Sequence, residues 1–203
     1  MAKRTKKNTN APKPTGLTLD DYLAGIKSGK YPQPMHGGDG RPPGWFTDDH
    51  GRAYMAEVAE IRNGVVVEVG CYMGRSMSWI APSCIDNGNT LVAVDPWENC
   101  PRSEFEANMR GGGWLDHITI MQARSVDAAP KFDDESIDLC FIDAWHDYES
   151  VKADIDAWWP KVKVGGVLMG HDYADANYGV KRAVDEKFGD CVRVVSGMWH
   201  VRK

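Results

Sequence analysis

The sequence has no long apolar run: its longest stretches, such as residues 65–67 and 167–169, are only a few residues each. A bilayer-crossing helix needs about 20 consecutive apolar residues, so no membrane span is expected. Basic residues near the N-terminus are not followed by an apolar stretch, so no secretory signal is expected either. Cysteine is scarce and unpatterned. Cys71, Cys84, Cys100, Cys140 and Cys191 form an odd, widely spaced set with no C-x-x-C. That set argues against a disulfide framework and for free thiols in a reducing compartment, which makes the cytoplasm the expected location.

What is there reads as one globular domain. The 203 residues are 42% hydrophobic and 26% charged, enough for a single core. Charge is unevenly spread: Lys3, Arg4, Lys6, Lys7 and Lys13 give the first 19 residues +5 with no acid, so the remainder carries −10. Residues 1–15 are expected to be a disordered basic tail, with the domain spanning 16–203. An acidic body argues against a large phosphate-tracking groove.

Along the chain, Leu17, Tyr22, Leu23 and Ile26 have helical spacing, with Thr18 as a cap, and suggest a helical cap on the domain. Residues 31–44 hold four Pro and four Gly and read as a loop, either a connector or an entrance segment. Asp48 and Asp49 follow Thr47 and open a helix that Asn63-Gly64 stops. The period then changes. Residues 65–69, 90–94, 118–121, 137–142 and 164–169 are short runs rich in β-branched residues, with helix-like segments between them and a last helix expected over 177–188. Strands alternating with helices indicate an α/β fold on a mostly parallel sheet. Residues 192–195 and 198–201 flank Ser196-Gly197 and read as a C-terminal antiparallel hairpin.

In such sheets ligands bind beyond the carboxyl ends of the strands. The first strand runs into Glu68-Val69-Gly70-Cys71-Tyr72-Met73-Gly74-Arg75-Ser76, a tight glycine turn before a helix. The spacing lacks the G-x-G-x-x-G of dinucleotide sites. The second strand ends in Asp95, placed to accept hydrogen bonds from two ribose hydroxyls, and the third ends at Arg124-Ser125. The fourth ends in Phe141-Ile142-Asp143-Ala144-Trp145-His146-Asp147-Tyr148, the fifth in His171-Asp172-Tyr173. Neighbouring strands lie about 4.8 Å apart, so Asp143 and Asp172 can converge on one cation, with His171 joining or supporting them. Carboxylate-rich ligation favours Mg²⁺, Mn²⁺ or Ca²⁺. A plainer reading has Asp147 capping the helix that follows, Trp145 in the core and His171-Asp172 capping a loop.

From Gly44 to the C-terminus these residues resemble the class I S-adenosylmethionine (SAM) dependent methyltransferases, and among them the metal-dependent O-methyltransferases of the catechol and of the macrolide- or cephalosporin-tailoring kinds. The resemblance rests on E-x-G-x-Y-x-G-x-S, read here at Glu68, Gly70, Tyr72, Gly74 and Ser76. It implies a Rossmann-like three-layer sandwich with a seven-stranded sheet. It also implies that Gly70 and Ser76 meet the methionine end of SAM, Asp95 its ribose, and Arg124 and Ser125 its adenine, with the Tyr72 ring near the sulfonium. The F-x-D-x-W-x-D pattern after strand four implies a metal ligand at Asp143. It puts His146 where the catechol-type enzymes carry a lysine base, and histidine titrates near neutral pH. The second metal pair reads His171-Asp172 where the family has Asp-Asn or Glu-Asp, a departure at the acidic first member.

The expected activity is methylation of a small hydroxylated acceptor with Mg²⁺ as the first choice of ion, on a monomer or homo-oligomer. Two other readings compete: methylation of nucleic acid, suggested by the basic tail but opposed by the absence of an N/D-P-P-Y/F sequence after strand four, and a non-catalytic SAM-binding protein.

Overall fold

The β-branched runs assemble into one seven-stranded sheet whose central strands are buried on both faces and have to be covered twice. The computed structural model describes residues 40–203. The expected tail, the helical spacing of Leu17, Tyr22, Leu23 and Ile26, and most of the loop 31–44 lie outside the described residues. In chain order the elements are α1 (Asp48–Val58), β1 (Val65–Val69), α2 (Met77–Asp86), β2 (Thr90–Asp95), α3 (Arg102–Gly111), β3 (Ile118–Gln122), α4 (Ser125–Ala128), β4 (Ile137–Ile142), α5 (Tyr148–Trp158), β5 (Val162–Gly170), α6 (Val180–Phe188), β6 (Arg193–Val195) and β7 (Met198–Arg202). Sheet order is β3-β2-β1-β4-β5-β7-β6, and β7 alone runs against its neighbours. The fold is a Rossmann-like three-layer sandwich. The chain winds outward from β1 to β3 and restarts at β4, so the crevice above β1 and β4 is the switch point.

One face is covered by α1, α2 and α3 over a core that includes Tyr54, Met77, Ile80, Phe105 and Phe141; the other by α4, α5 and α6 over Val67, Ile155, Trp158, Val184 and Trp199. Tyr54 stacks on Phe141 at 4.5 Å between ring centroids and Phe46 meets the same ring edge-on at 5.8 Å, which pins α1 across β4. Three boundaries differ from the sequence reading by two residues or more. Helix α1 ends at Val58 because the chain turns there, with Ile61 N–H donating to the Val58 carbonyl and Arg62 bonding the Ala59 and Ile61 carbonyls. Helix α6 begins at Val180, since Asp175 holds the Asn177 N–H in a turn and Gly179 N–H donates to the His146 carbonyl. Strand β5 begins at Val162, pairing with Ile137 before a register shift.

Candidate active site

The glycine loop after β1 is braced from beneath and beside. Gly70 and Gly74 take φ of 87° and 86°, and a Cβ on Gly70 would stand 2.1 Å from the Asp143 carbonyl oxygen. That contact brings the loop directly against the end of β4. Asp95 completes the brace: Oδ2 accepts from Cys71 N–H at 2.8 Å and Tyr72 N–H at 2.9 Å, and Oδ1 from Trp97 N–H at 2.5 Å. Burial raises the Asp95 pKa and these three amides pull it back. Trp97 returns its indole N–H to the Tyr72 carbonyl at 3.0 Å, and Asn108 reaches the Met73 carbonyl at 2.9 Å. Arg75, itself buried, bonds the Phe46 and Pro42 carbonyls and so fastens the segment before α1 to the same loop.

Glu68 lies below this loop, wholly buried on β1, where it accepts the Ser76 hydroxyl at 2.8 Å. Burial pushes its pKa up to about 8, opposed by the Ser76 bond and reinforced by the nearby Asp143 and Asp95 charges. At neutral pH it is mostly the neutral acid. Both side chains of this pair are therefore engaged with each other.

At the ends of β4 and β5, oxygen and nitrogen atoms of Asp143, His146 and Asp172 all lie within 4.8 Å of one another. His146 Nε2 is 3.4 Å from Asp143 Oδ1 and 3.1 Å from Asp172 Oδ2. Burial works to lower the His146 pKa, but the Asp143 hydrogen bond and the charges of Asp172 and Asp143 prevail and raise it. Its ring stacks on Tyr178 at 4.6 Å. Asp172 sits at φ 57°, and Tyr72 and Trp97 are also left-handed, at 46° and 51°. Non-glycine residues held there cost of order 1–3 kcal/mol each, and here all three stand at the carboxyl edge of the sheet.

His171 does not join that converging set. Its Nδ1 is 3.2 Å from Asp172 Oδ2, and its Nε2 is 2.9 Å from His50 Nδ1. His50 Nδ1 also accepts the Thr47 N–H in the capping box that starts α1, so it is an acceptor and His171 Nε2 is the donor. With a carboxylate on its other nitrogen, His171 is an imidazolium: burial opposes this, yet Asp143 and Asp172 push its pKa up to about 9. Burial works to raise the Asp172 pKa, but the His171 hydrogen bond and the charges of His146 and His171 hold it below the usual carboxylate range. Of the two roles expected of His171, joining the carboxylates or supporting them, the contacts present are those of support, with both nitrogens taken by Asp172 and His50.

Sequence reasoning missed His50, 93 positions from Asp143 in the chain; its spacing behind Thr47 marks only a helix start. Asp147 is the helix cap of the plainer reading, accepting the Ser150 N–H at 3.0 Å as α5 begins. Arg124 and Ser125 stand beyond β3, but the Arg124 side chain pairs with Glu98 at 3.0 Å and the Ser125 hydroxyl accepts the Trp158 indole N–H at 2.8 Å.

A family model described as a methyltransferase domain matches residues 67–173, just over half of the chain and the whole of both loop systems above. The chain belongs to this methyltransferase-domain family, and its fold is that of the class I SAM-dependent methyltransferases. Similar solved structures include the O-methyltransferase NovP (18% identity, TM-score 0.65, 76% of this chain and 79% of that one). The O-methyltransferase TomG of Streptomyces achromogenes, solved with SAM, shares 15% identity at TM-score 0.63 over 91% and 89% of the two chains. A Bacillus cereus O-methyltransferase with SAH shares 17% at 0.62 over 96% and 94%. Uncharacterized proteins of Sinorhizobium fredii and Acanthamoeba polyphaga mimivirus are 26% and 28% identical over 64% and 60% of this chain. The chain spans 15% and 57% of the length of these two curated relatives. Among the described residues no helix is long and apolar enough to cross a membrane.

Proposed function

We propose that the chain transfers a methyl group from SAM to a hydroxyl of a small acceptor, with a divalent cation, Mg²⁺ first, held by Asp143 and Asp172 and with His146 as the base. The observation that carries this reading is the convergence of two carboxylates and an imidazole one glycine turn away from the loop that Asp95 braces.

The residues present fit both groups. Asp95 uses three of its four acceptor positions on backbone amides and keeps one for a ribose hydroxyl. Gly70 and Gly74 would leave the loop backbone open to the methionine end, Tyr72 would face the sulfonium, and the Ser76 hydroxyl, given to Glu68, fixes the loop. Arg124 and Ser125, whose side chains are occupied elsewhere, would offer their backbone to the adenine. For the cation, Asp143 and Asp172 present two carboxylates on either side of the His146 ring; hard dications favour such oxygen donors. A dication there would polarise the acceptor hydroxyl and oppose protonation of His146.

His146 Nε2 then takes the acceptor proton, the acceptor oxygen bonds to the methyl carbon, and the electron pair of the broken C–S bond returns to sulfur. Tyr178 stacks on His146 and keeps its ring in place. His171 and His50 hold Asp172 in its left-handed conformation. The walls offered to an acceptor are aromatic: Trp45 and Tyr72, 5.5 Å apart, and Tyr178. They suit a planar or sugar-like hydroxyl compound.

Mn²⁺ titration followed by electron paramagnetic resonance tests the cation site without needing the acceptor. The free Mn²⁺ signal falls with wild type and persists with Asp143→Asn and Asp172→Asn. Equal uptake by all three proteins contradicts the assignment.

A further inference from the structure

A cavity of about 520 Å³ opens on the α1 face of the sheet, and no residue of the reaction cluster lines it. Helix α1 spans the distance between them. His50 stands at the carboxyl edge and Glu57, seven residues on, lines the cavity, about 10 Å farther along the axis at 1.5 Å per residue. The cavity lies between the flank of α1 and the outer strands β7 and β6.

Its walls are divided. Ala53 and Ala56 of α1, Val167 of β5 and Val195 of β6 form an apolar side. Among them, Glu57 is met by Arg193, by Arg202 at 3.4 Å from Oε2, and by His200 Nδ1 at 3.3 Å from Oε1. One carboxylate faces two guanidiniums, which leaves a local positive surplus on a body whose charge beyond residue 19 is −10. The His200 imidazole beside it and the charges of Arg193 and Arg202 hold the Glu57 carboxyl below its usual range against the effect of burial. Both arginine side chains remain about two-thirds exposed and keep further N–H groups for a ligand. His200 is 3% exposed and neither of its ring nitrogens has a hydrogen-bond partner among the described residues, a costly state for buried polar atoms.

We infer that this cavity is a second binding site, for a small molecule with a carboxylate or phosphate head and an apolar body. Arg193 and Arg202 hold the head in charge-assisted hydrogen bonds, His200 lies beneath it, and the body rests on Ala53, Ala56, Val167 and Val195. The volume falls in the range of small-molecule pockets.

The cavity carries its own reporter. Cys191 lines it and is exposed, while the other four cysteines are buried. Alkylation of native full-length protein by N-ethylmaleimide therefore reads Cys191. At ten times their dissociation constant, phenyl phosphate or phenylacetate slows that alkylation about tenfold. The more protective of the two identifies the head group. Benzyl alcohol, of similar size and uncharged, gives no protection, and the exposed-site variants Arg193→Gln and Arg202→Gln lose the protection by the anions. Failure of both anions to protect, or equal protection by benzyl alcohol, overturns the site. So does a Cys191 that is inert in the native chain and reactive only after unfolding, because the cavity is then filled by the chain's own residues or by a second copy. These readouts do not depend on methyl transfer.

Discussion

Replacing Glu68 by Gln is expected to stabilise the protein, and to do so more as pH rises. The carboxyl is wholly buried, with Ser76 on Oε1 and no partner on Oε2. Burial, first among the causes, lifts its pKa from 4.5 to about 8 in the folded chain. A raised folded-state pKa means the fold binds a proton that the unfolded chain releases above pH 4.5. The stability this group contributes is complete below that pH and is lost as pH climbs through 8. Each unit is about 1.36 kcal/mol, so the wild-type cost is about 1 kcal/mol at pH 5, about 3 kcal/mol at pH 7 and close to 5 kcal/mol above pH 8. Glutamine keeps an acceptor for Ser76, carries no charge and does not titrate. Its amide N–H groups also face the region of the Tyr54 hydroxyl, which is buried and without a partner. Urea denaturation of wild type and Glu68→Gln at pH 5, 6, 7 and 8 measures the difference directly. A variant less stable than wild type by the same amount at every pH would refute the reasoning, because Glu68 would then be working as a charge.

Gly70→Ala is expected to disrupt two sites at once, since the new Cβ meets the Asp143 carbonyl at 2.1 Å in a backbone conformation with φ 87°. Chemical denaturation should register a loss of about 1–3 kcal/mol or more, and Mn²⁺ and SAM binding should weaken together. His50→Ala removes the acceptor for His171 Nε2. His171 is the group that contacts Asp172, and His50 stands one step behind it, so Mn²⁺ affinity measured by titration should fall by less than the roughly 10–100-fold typical of losing a ligand's direct partner.

Much of the fold was legible because its signals are local. The five parallel strands announce themselves as β-branched runs, and Ser196-Gly197, both left-handed at φ 53° and 81°, make the hairpin turn their types suggest. Which hairpin strand lies against β5 was not legible: β7 inserts between β5 and β6, a choice made by packing Trp199 and Val201 beneath α6. The site divides the same way. Asp143, His146 and Asp172 lie at strand ends, where topology alone predicts convergence. His50 and the Glu57, Arg193, His200 and Arg202 cluster lie on a helix and on outer strands far apart in sequence. There a histidine looks like a cap and an arginine looks like a solvated face. The inward turn of His171 was hidden for the same reason: its partner is contributed by α1, more than 100 residues earlier.

The central claim, a SAM site built on the glycine loop and Asp95, is tested most directly by calorimetric titration of SAM into wild-type protein and Asp95→Ala, with and without Mg²⁺. The account predicts micromolar binding to wild type and its loss in Asp95→Ala, where the Cys71, Tyr72 and Trp97 amides lose their acceptor along with the ribose hydroxyl. Absence of SAM binding to folded wild-type protein under either condition would contradict it.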